Sequence, residues 1–128
     1  MAKTTQITVS AESKPGVLAK VSDTLAKAGV NISAICAGEA AGRGKIRLVV
    51  SDPARAKQAL AAAKIRCAEE PALVISMEDR PGALAGVASK LAAARVNIKC
   101  AYASTSGAGM AQVVLVVANP DKAEKALG

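Results

Sequence analysis

Histidine, tryptophan and phenylalanine are absent from this chain of 128 residues, and Tyr102 is its one aromatic side chain. Without histidine, general acid–base catalysis lacks its commonest side chain, and a cysteine nucleophile lacks the base that usually takes its proton. No close pair of carboxylates recurs in both halves of the chain. We therefore predict that the protein is not an enzyme and has no catalytic residues.

The shortage of aromatic side chains also bears on nucleic acids. The net charge of +7 permits an acidic partner. RNA-recognition modules, however, stack bases on aromatic rings, and Tyr102 alone cannot provide two such platforms. The basic side chains stand mostly among alanines on predicted helices, as on a solvated face. We predict no specific nucleic-acid partner, and weak non-specific binding, which salt would reduce steeply, is kept as an alternative.

Cysteine is scarce, and Cys36, Cys67 and Cys100 have no CxxC spacing. We predict reduced thiols, core positions for Cys36 and Cys100, and no metal site. The sequence also has no apolar run long enough to cross a bilayer, and its first residues lack the apolar core of a signal peptide. These absences predict a cytoplasmic protein without a membrane partner.

A glycine-rich segment from Gly38 to Ile46 superficially suggests a phosphate-binding loop. The motif GxxxxGK[ST] would require glycine at Glu39 and serine or threonine at Ile46. We therefore predict a hairpin turn here, and no cofactor.

An internal repeat dominates what the sequence does contain. The segment from Glu12 to Ile32 recurs from Glu78 to Ile98 with an offset of 66 residues, and 12 of the 21 positions are identical. Repetition on this scale indicates one structural unit used twice. We predict units at residues 1–70 and 71–128, each so small that the two share a core, pair with a second chain, or both.

Each copy has the pattern of a strand, a helix, two hairpin strands and a helix. Alternating apolar residues at 6–10 and 72–77 predict the leading strands. A Pro-Gly pair then precedes apolar residues at helical spacing, which predicts the first helix of each copy. With a further strand at residues 64–70, the first copy follows the βαββαβ order of the α+β, ferredoxin-like fold, in which both helices cover one face of an antiparallel sheet.

The helix ends carry their own signals. Asp52-Pro53 and Asn119-Pro120 predict matching helix starts, each with a capping side chain followed by proline. Gly29 suits a left-handed helix end, and its counterpart Arg95 predicts a different ending for the second copy. The last strand of the second unit is expected to be absent or supplied by another segment.

These residues resemble a known family. The pattern Pro-Gly-x-Leu-x-x-Val-x-x-x-Leu-x-x-x-x-Val-Asn-Ile, complete at residues 15–32 and 81–98, is similar to the ACT domain, a small regulatory module of amino-acid metabolism. The resemblance covers nearly the whole chain as two tandem copies. It implies the ferredoxin-like fold, units paired side by side in a shared antiparallel sheet, and a free amino acid held at their seam.

The loop before each leading helix suits such a ligand. The first backbone amides of a helix are unpaired and lie at the positive end of its dipole, where a carboxylate binds well. Asp79 is placed to accept a hydrogen bond from the ligand's ammonium, and Ser13 could do so only weakly. Asn31 and Asn97 match the family's asparagine, whose amide could bind either end of the ligand. The predicted ligand-binding residues are Ser13, Gly16, Val17, Leu18, Asn31, Ile32, Asp79, Arg80, Gly82, Ala83, Leu84, Asn97 and Ile98.

The resemblance therefore implies a stand-alone regulatory protein that binds a free amino acid. It further implies a homodimer or higher homo-oligomer, with an enzyme of unspecified identity as a possible regulated partner. A module that only dimerises, without a ligand, is the alternative of a different class.

Overall fold

The computed structural model describes residues 1–105 and 107–128. Its ten elements follow the predicted order. They are β1 (Ala2–Glu12), α1 (Val17–Lys27), β2 (Ile32–Ala40), β3 (Arg43–Val50), α2 (Pro53–Ala62), β4 (Cys67–Glu78), α3 (Ala83–Ala93), β5 (Ile98–Thr105), β6 (Met110–Val117) and α4 (Pro120–Leu127).

The chain divides into two compact units. The first unit is Thr5–Glu70, and the second joins Met1–Thr4 to Pro71–Gly128. In the first unit the strand order is β2–β3–β1, and in the second it is β4–β6–β5. All of these pairings are antiparallel. The ferredoxin-like prediction is thus confirmed for each unit.

The start of the chain belongs to the second unit. The Lys3 ammonium pairs with the carboxylate of Asp121 at the start of α4 and lies 3.9 Å from Glu124. The ammonium holds the pKa of Asp121 below its usual range, mainly through their hydrogen bond. Residues 1–4, at the beginning of β1, are therefore anchored to α4 of this unit; whether another segment supplies its final strand stays a prediction.

Strand β4 differs from its prediction. The expected strands at 64–70 and 72–77 form one strand of 12 residues, which runs through Pro71. Residues 67–70 of this strand belong to the first unit, and its remainder belongs to the second. The chain thus passes from one unit to the other without a loop.

Each unit has its own apolar core, and the two cores repeat the same positions. Leu25 on α1 and Leu91 on α3 are fully buried and lie 66 residues apart, as the repeat requires. Leu48 on β3 and Leu115 on β6 match in the same way, with an offset of 67 because the second hairpin is one residue longer. The first core contains Ile7, Val9, Val21, Leu25, Val30, Ile46, Leu48, Val50, Ala56 and Leu60. The second contains Leu73, Ile75, Leu91, Val96, Val113, Leu115, Val117 and Ala123.

The ending predicted for α3 is wrong. Arg95 adopts a left-handed φ of 59°, close to the 73° of Gly29. The next amide, that of Val96, donates to the Leu91 carbonyl at 2.9 Å, just as Val30 donates to Leu25 at 3.0 Å. Both helices therefore close in the same way, and arginine bears a conformational cost of about 1–2 kcal/mol that glycine would avoid.

The hairpin turns are tighter than predicted. In the first hairpin Ala40 pairs with Arg43, and the two turn residues, Ala41 and Gly42, have positive φ of 52° and 77°. This is the combination that a type I′ turn requires. In the second hairpin, Ser104 and Thr105 lie in β5 rather than in the predicted turn, and Ser106, also predicted there, lies outside the described residues.

The caps of α2 and α4 are confirmed. Asp52 accepts a hydrogen bond from the Arg55 amide at 3.1 Å, and Asn119 accepts one from the Lys122 amide at 3.0 Å. We expect Asp52→Ala to lower the free energy of unfolding by about 1 kcal/mol, measured by urea denaturation. Asp52→Asn is the control, because its side chain keeps the acceptor oxygen. A loss in the asparagine variant as large as in the alanine variant would contradict the capping role.

Candidate functional site

The two repeated Pro-Gly loops share one backbone geometry. Gly16 and Gly82, which immediately precede α1 and α3, have positive φ of 91° and 88°. Neither helix has a side-chain cap or an acidic residue in its first turn, whereas α2 and α4 are capped by Asp52 and Asn119. The starts of α1 and α3 therefore keep an uncompensated positive end of the helix dipole.

Not every predicted amide at these starts is open to a ligand. The Val17 amide donates to the Lys14 carbonyl at 3.5 Å, and the Ala83 amide donates to the Arg80 carbonyl at 3.3 Å. Within the described residues, the amides of Gly16 and Leu18 have no hydrogen-bond acceptor, and the same holds for Gly82 and Leu84. Each loop thus has two amides open to a carboxylate.

A pocket of about 320 Å³ lies at the first loop. Of the predicted residues it brings together Ser13, Val17 and Leu18. The rest of its lining was not predicted and consists of Ala11, Glu12, Lys14, Ala37, Gly38, Glu39, Gly44 and Ile46. Apart from Lys14, which lies in the loop between β1 and α1, these residues belong to β1, β2 and β3, so the pocket lies between these strands and the start of α1.

Charged groups of both signs border this pocket. The Ser13 hydroxyl donates to the Glu39 carboxylate, and the Ser13 amide donates to the Gly42 carbonyl at 3.0 Å. The Lys14 ammonium lies 4.0 Å from the Glu12 carboxylate. Two carboxylates and one ammonium therefore stand beside an otherwise apolar lining, an arrangement that suits a small zwitterion.

Glu39 is the main residue that the sequence argument missed. It was assigned to a hairpin turn, whereas β2 extends to Ala40 and carries Glu39 over the loop. The repeat could not identify it, because Thr105 occupies the corresponding position. The only signal was an acidic residue close to the end of a predicted edge strand.

Asn31 and Ile32 lie away from the pocket of their own unit. Their position is beyond the far end of α1, a helix of 11 residues that spans about 16 Å. The backbone amide of Asn31 donates to the Ser51 hydroxyl at 2.9 Å, and the backbone amide of Ser51 donates to the backbone carbonyl of Asn31 at 2.9 Å. Asn97 holds the matching place before β5, where its carbonyl accepts from the Ala118 amide.

The second loop presents its carboxylate to solvent. Asp79 is exposed, and its amide donates to the Gly109 carbonyl at 2.9 Å. The Arg80 guanidinium pairs with the Glu78 carboxylate, so Arg80 already has a counter-ion within its own loop. Leu84 is 51% exposed, as Leu18 is 47% exposed on the first loop.

None of the three cysteines forms a disulfide, and all three are half-buried. Cys36 and Cys100 therefore lie at the margin of the fold and not in its core, contrary to the prediction. Burial raises the pKa of the Cys67 thiol. Across residues 1–105 and 107–128, no three histidine, cysteine or acidic side chains gather as a metal site would need, and no helix has the length and apolar character needed to span a membrane.

The chain matches a known protein family and several solved structures. The family model of the ACT domain pair matches residues 2–127. The crystal structure of protein BT0572 from Bacteroides thetaiotaomicron is 35% identical with a TM-score of 0.91, over 98% of this chain and 86% of that one. The regulatory subunit of aspartate kinase from Thermus thermophilus, in its ligand-free form, is 23% identical with a TM-score of 0.72, over 98% of this chain and 91% of that one.

No match was found among curated proteins. The family match covers almost the whole chain and agrees with the two repeated units, their shared βαββα order and their Pro-Gly loops. The chain therefore belongs to the family of ACT domain pairs.

Proposed function

We propose that this ACT domain pair is a regulatory protein that binds a free amino acid in the pocket at the start of α1. The observation that carries the proposal is the uncapped helix start, where Leu18, whose amide has no partner, lines a pocket bordered by Glu39 and the open Gly16 amide lies two residues earlier in the chain. A free amino acid needs donors for its carboxylate and acceptors for its ammonium. The first loop supplies both within one small cavity.

The assignment of the two ends follows from charge. The ligand carboxylate would lie against the open amides, with the Lys14 ammonium nearby. The ligand ammonium would face Glu39, because Glu12 already has the Lys14 ammonium 4.0 Å from its carboxylate. A cavity of about 320 Å³ is at the small end of ligand sites, and Ala37, Val17 and Ile46 favour a short apolar side chain on the ligand.

The second loop is proposed as a weaker or separate site of the same type. Gly82 and Leu84 supply the open amides, and Asp79 would accept from the ammonium. A ligand contact stays a prediction from the repeat for six further residues, namely Ile32, Arg80, Ala83, Ile98 and the asparagines Asn31 and Asn97.

Assembly with a second copy is part of the proposal. Large apolar side chains are exposed on α1, β2 and α3, at Leu18, Ile35 and Leu84. Burial of such groups at an interface is favourable, which supports a homodimer or higher homo-oligomer in the cytoplasm. Binding would then regulate a partner enzyme only if the amino acid binds one conformation or assembly more tightly than another.

The ligand is tested by a thermal-shift screen of the full chain against the free amino acids. A ligand at about 100 times its dissociation constant should add about 2.7 kcal/mol to the free energy of unfolding. The amide and the N-acetyl derivative of the best ligand are controls, since each removes one charge of the zwitterion. We expect both to give smaller shifts.

Absence of a shift with every amino acid, in a folded sample, would favour a pure dimerisation module. A shift that the N-acetyl and amide derivatives reproduce would instead show that the proposed charge recognition is wrong. Non-specific nucleic-acid binding is the other alternative. It requires affinity for single-stranded oligonucleotides that falls steeply with salt.

A further inference from the structure

A second pocket of the first unit, of about 360 Å³, carries four basic side chains. We call it the cationic pocket. It lies on the side of α1 that faces the connection between α2 and β4. Its apolar floor is Val9, Val17, Val21 and Ile65, and its rim is Lys14, Lys20, Lys64 and Arg66, with Ser10 and Ala11 completing the lining.

The positive charge on this rim is largely unbalanced. Only Lys14 has a carboxylate near it, that of Glu12 at 4.0 Å. Within residues 1–105 and 107–128, the other three rim cations form no ion pair. By contrast, Lys27 and Lys57 of the same unit lie 3.0 Å from Asp23 and 3.5 Å from Glu69. Cations that converge from three chain segments without acids between them create a local positive potential that favours an anion.

The turn that closes α2 places Lys64 at the rim of the pocket. Lys64 ends α2 with a left-handed φ of 60°, a conformation that glycine adopts freely and other residues adopt at a cost. The turn closes through the Ile65 amide, which donates to the Leu60 carbonyl at 2.8 Å. Since α1 closes in the same way with Gly29, the turn itself does not require lysine.

The pocket is not a product of the repeat. Lys20 corresponds to Gly86 in the second unit, whereas Lys14, near Glu12, matches Arg80 with its partner Glu78. Lys20 therefore distinguishes the first unit from the second. A solvated helix face explains Lys20 alone, but it does not explain four cations around one apolar cavity.

We propose that the cationic pocket binds a small organic anion with an apolar body, of the phosphate monoester class. The phosphate would lie among Lys20, Lys64 and Arg66, and the apolar body would cover the half-buried side chains of Val17 and Ile65, beneath which Val9 and Val21 are already buried. This site is separate from the amino-acid pocket, although Lys14 borders both. The proposal does not rest on the function proposed above.

The test uses the full chain without any amino acid, with inorganic phosphate and phenyl phosphate as probes. We expect phenyl phosphate to bind more tightly, because its ring can cover the apolar floor. In methyl NMR spectra, the signals of Val9, Val21 and Ile65 should shift on its addition. Equal affinity for the two probes, no binding of either, or shifts confined to other methyl groups would each overturn the proposal.

Charge-removing variants locate the anion. The triple variant Lys20→Gln, Lys64→Gln, Arg66→Gln should lose about tenfold or more in affinity for phenyl phosphate. The control Lys27→Gln, Arg55→Gln, Lys57→Gln removes the same charge from the same unit and should lose less than about twofold. An equal loss in the control would show that net charge alone binds the probe, which contradicts a defined site.

Lys64→Gly separates binding from the helix ending. Glycine relieves the left-handed strain, so the thermal midpoint should not fall, whereas affinity for phenyl phosphate should fall about threefold. A lower midpoint with unchanged affinity would show that Lys64 serves only the turn, and would overturn its role in the site.

Discussion

Leu25→Ala should lower the free energy of unfolding by about 2–5 kcal/mol. Leu25 lies on the inner face of α1, is fully buried, and packs in the core of the first unit. Truncation removes apolar burial and leaves a cavity that its neighbours fill only in part. Because the core is built of Val, Ile, Leu and Ala without a large aromatic side chain, each buried leucine supplies a large share of its apolar area. Urea denaturation followed by circular dichroism measures the change.

Two further variants test the prediction for Leu25→Ala, one at the equivalent buried position and one at an exposed position. Leu91→Ala removes the matching side chain of the second core and should cost a similar amount. Leu18→Ala changes the same helix at a position that is 47% exposed, and its cost should stay within about 0.5 kcal/mol. If Leu18→Ala costs as much as Leu25→Ala in a sample dilute enough to be monomeric, the inner and outer faces of α1 have been assigned wrongly.

The repeat is the reason that so much of the fold could be predicted. A pattern seen twice at a fixed offset places its apolar positions, and Leu25 with Leu91 or Leu48 with Leu115 are equivalent core residues in the structure. The caps Asp52 and Asn119 were predictable because capping depends on a residue and its nearest neighbours in sequence. Such local features need no knowledge of distant contacts.

The features that were mispredicted depend on context that a pattern does not contain. Arg95 takes the left-handed conformation because the bond from Val96 to Leu91 and the packing of Val96 in the core offset its strain. Cys36 and Cys100 lie on the edge strands β2 and β5, where an apolar pattern does not lead to full burial. In each case tertiary structure outweighed the local preference.

The candidate site was predictable in its loop but not in its lining. The Pro-Gly pair identifies the helix start, yet the bond from the Val17 amide to the Lys14 carbonyl depends on coordinates. Glu39 reaches the pocket because β2 continues beyond the point where composition suggested a turn. Residues that one copy holds and the other lacks are invisible to an argument from repetition, although they decide which ligand fits.

Gly16→Asp should abolish the amino-acid-induced thermal shift and lower affinity by at least about tenfold. A carboxylate at this position would stand beside the ligand's own carboxylate, and two like charges about 4 Å apart repel by several kcal/mol near a protein surface. Gly82→Asp should do the same for any ligand of the second loop. Calorimetric titration with the amino acid found in the thermal screen measures both losses.

Gly16→Asn is the matched control that isolates charge from shape. Asparagine and aspartate have nearly the same size, and both tolerate the positive φ of 91° better than other residues with a side chain. A Cβ at Gly16 would meet no atom within 4 Å, so both variants carry the same left-handed strain without a steric clash. Gly16→Asn should therefore keep affinity within about threefold of the natural chain, because a neutral amide next to the ligand's carboxylate exerts little repulsion. If Gly16→Asp binds as tightly as Gly16→Asn, the ligand's carboxylate does not lie at the start of α1, and the site must be sought elsewhere.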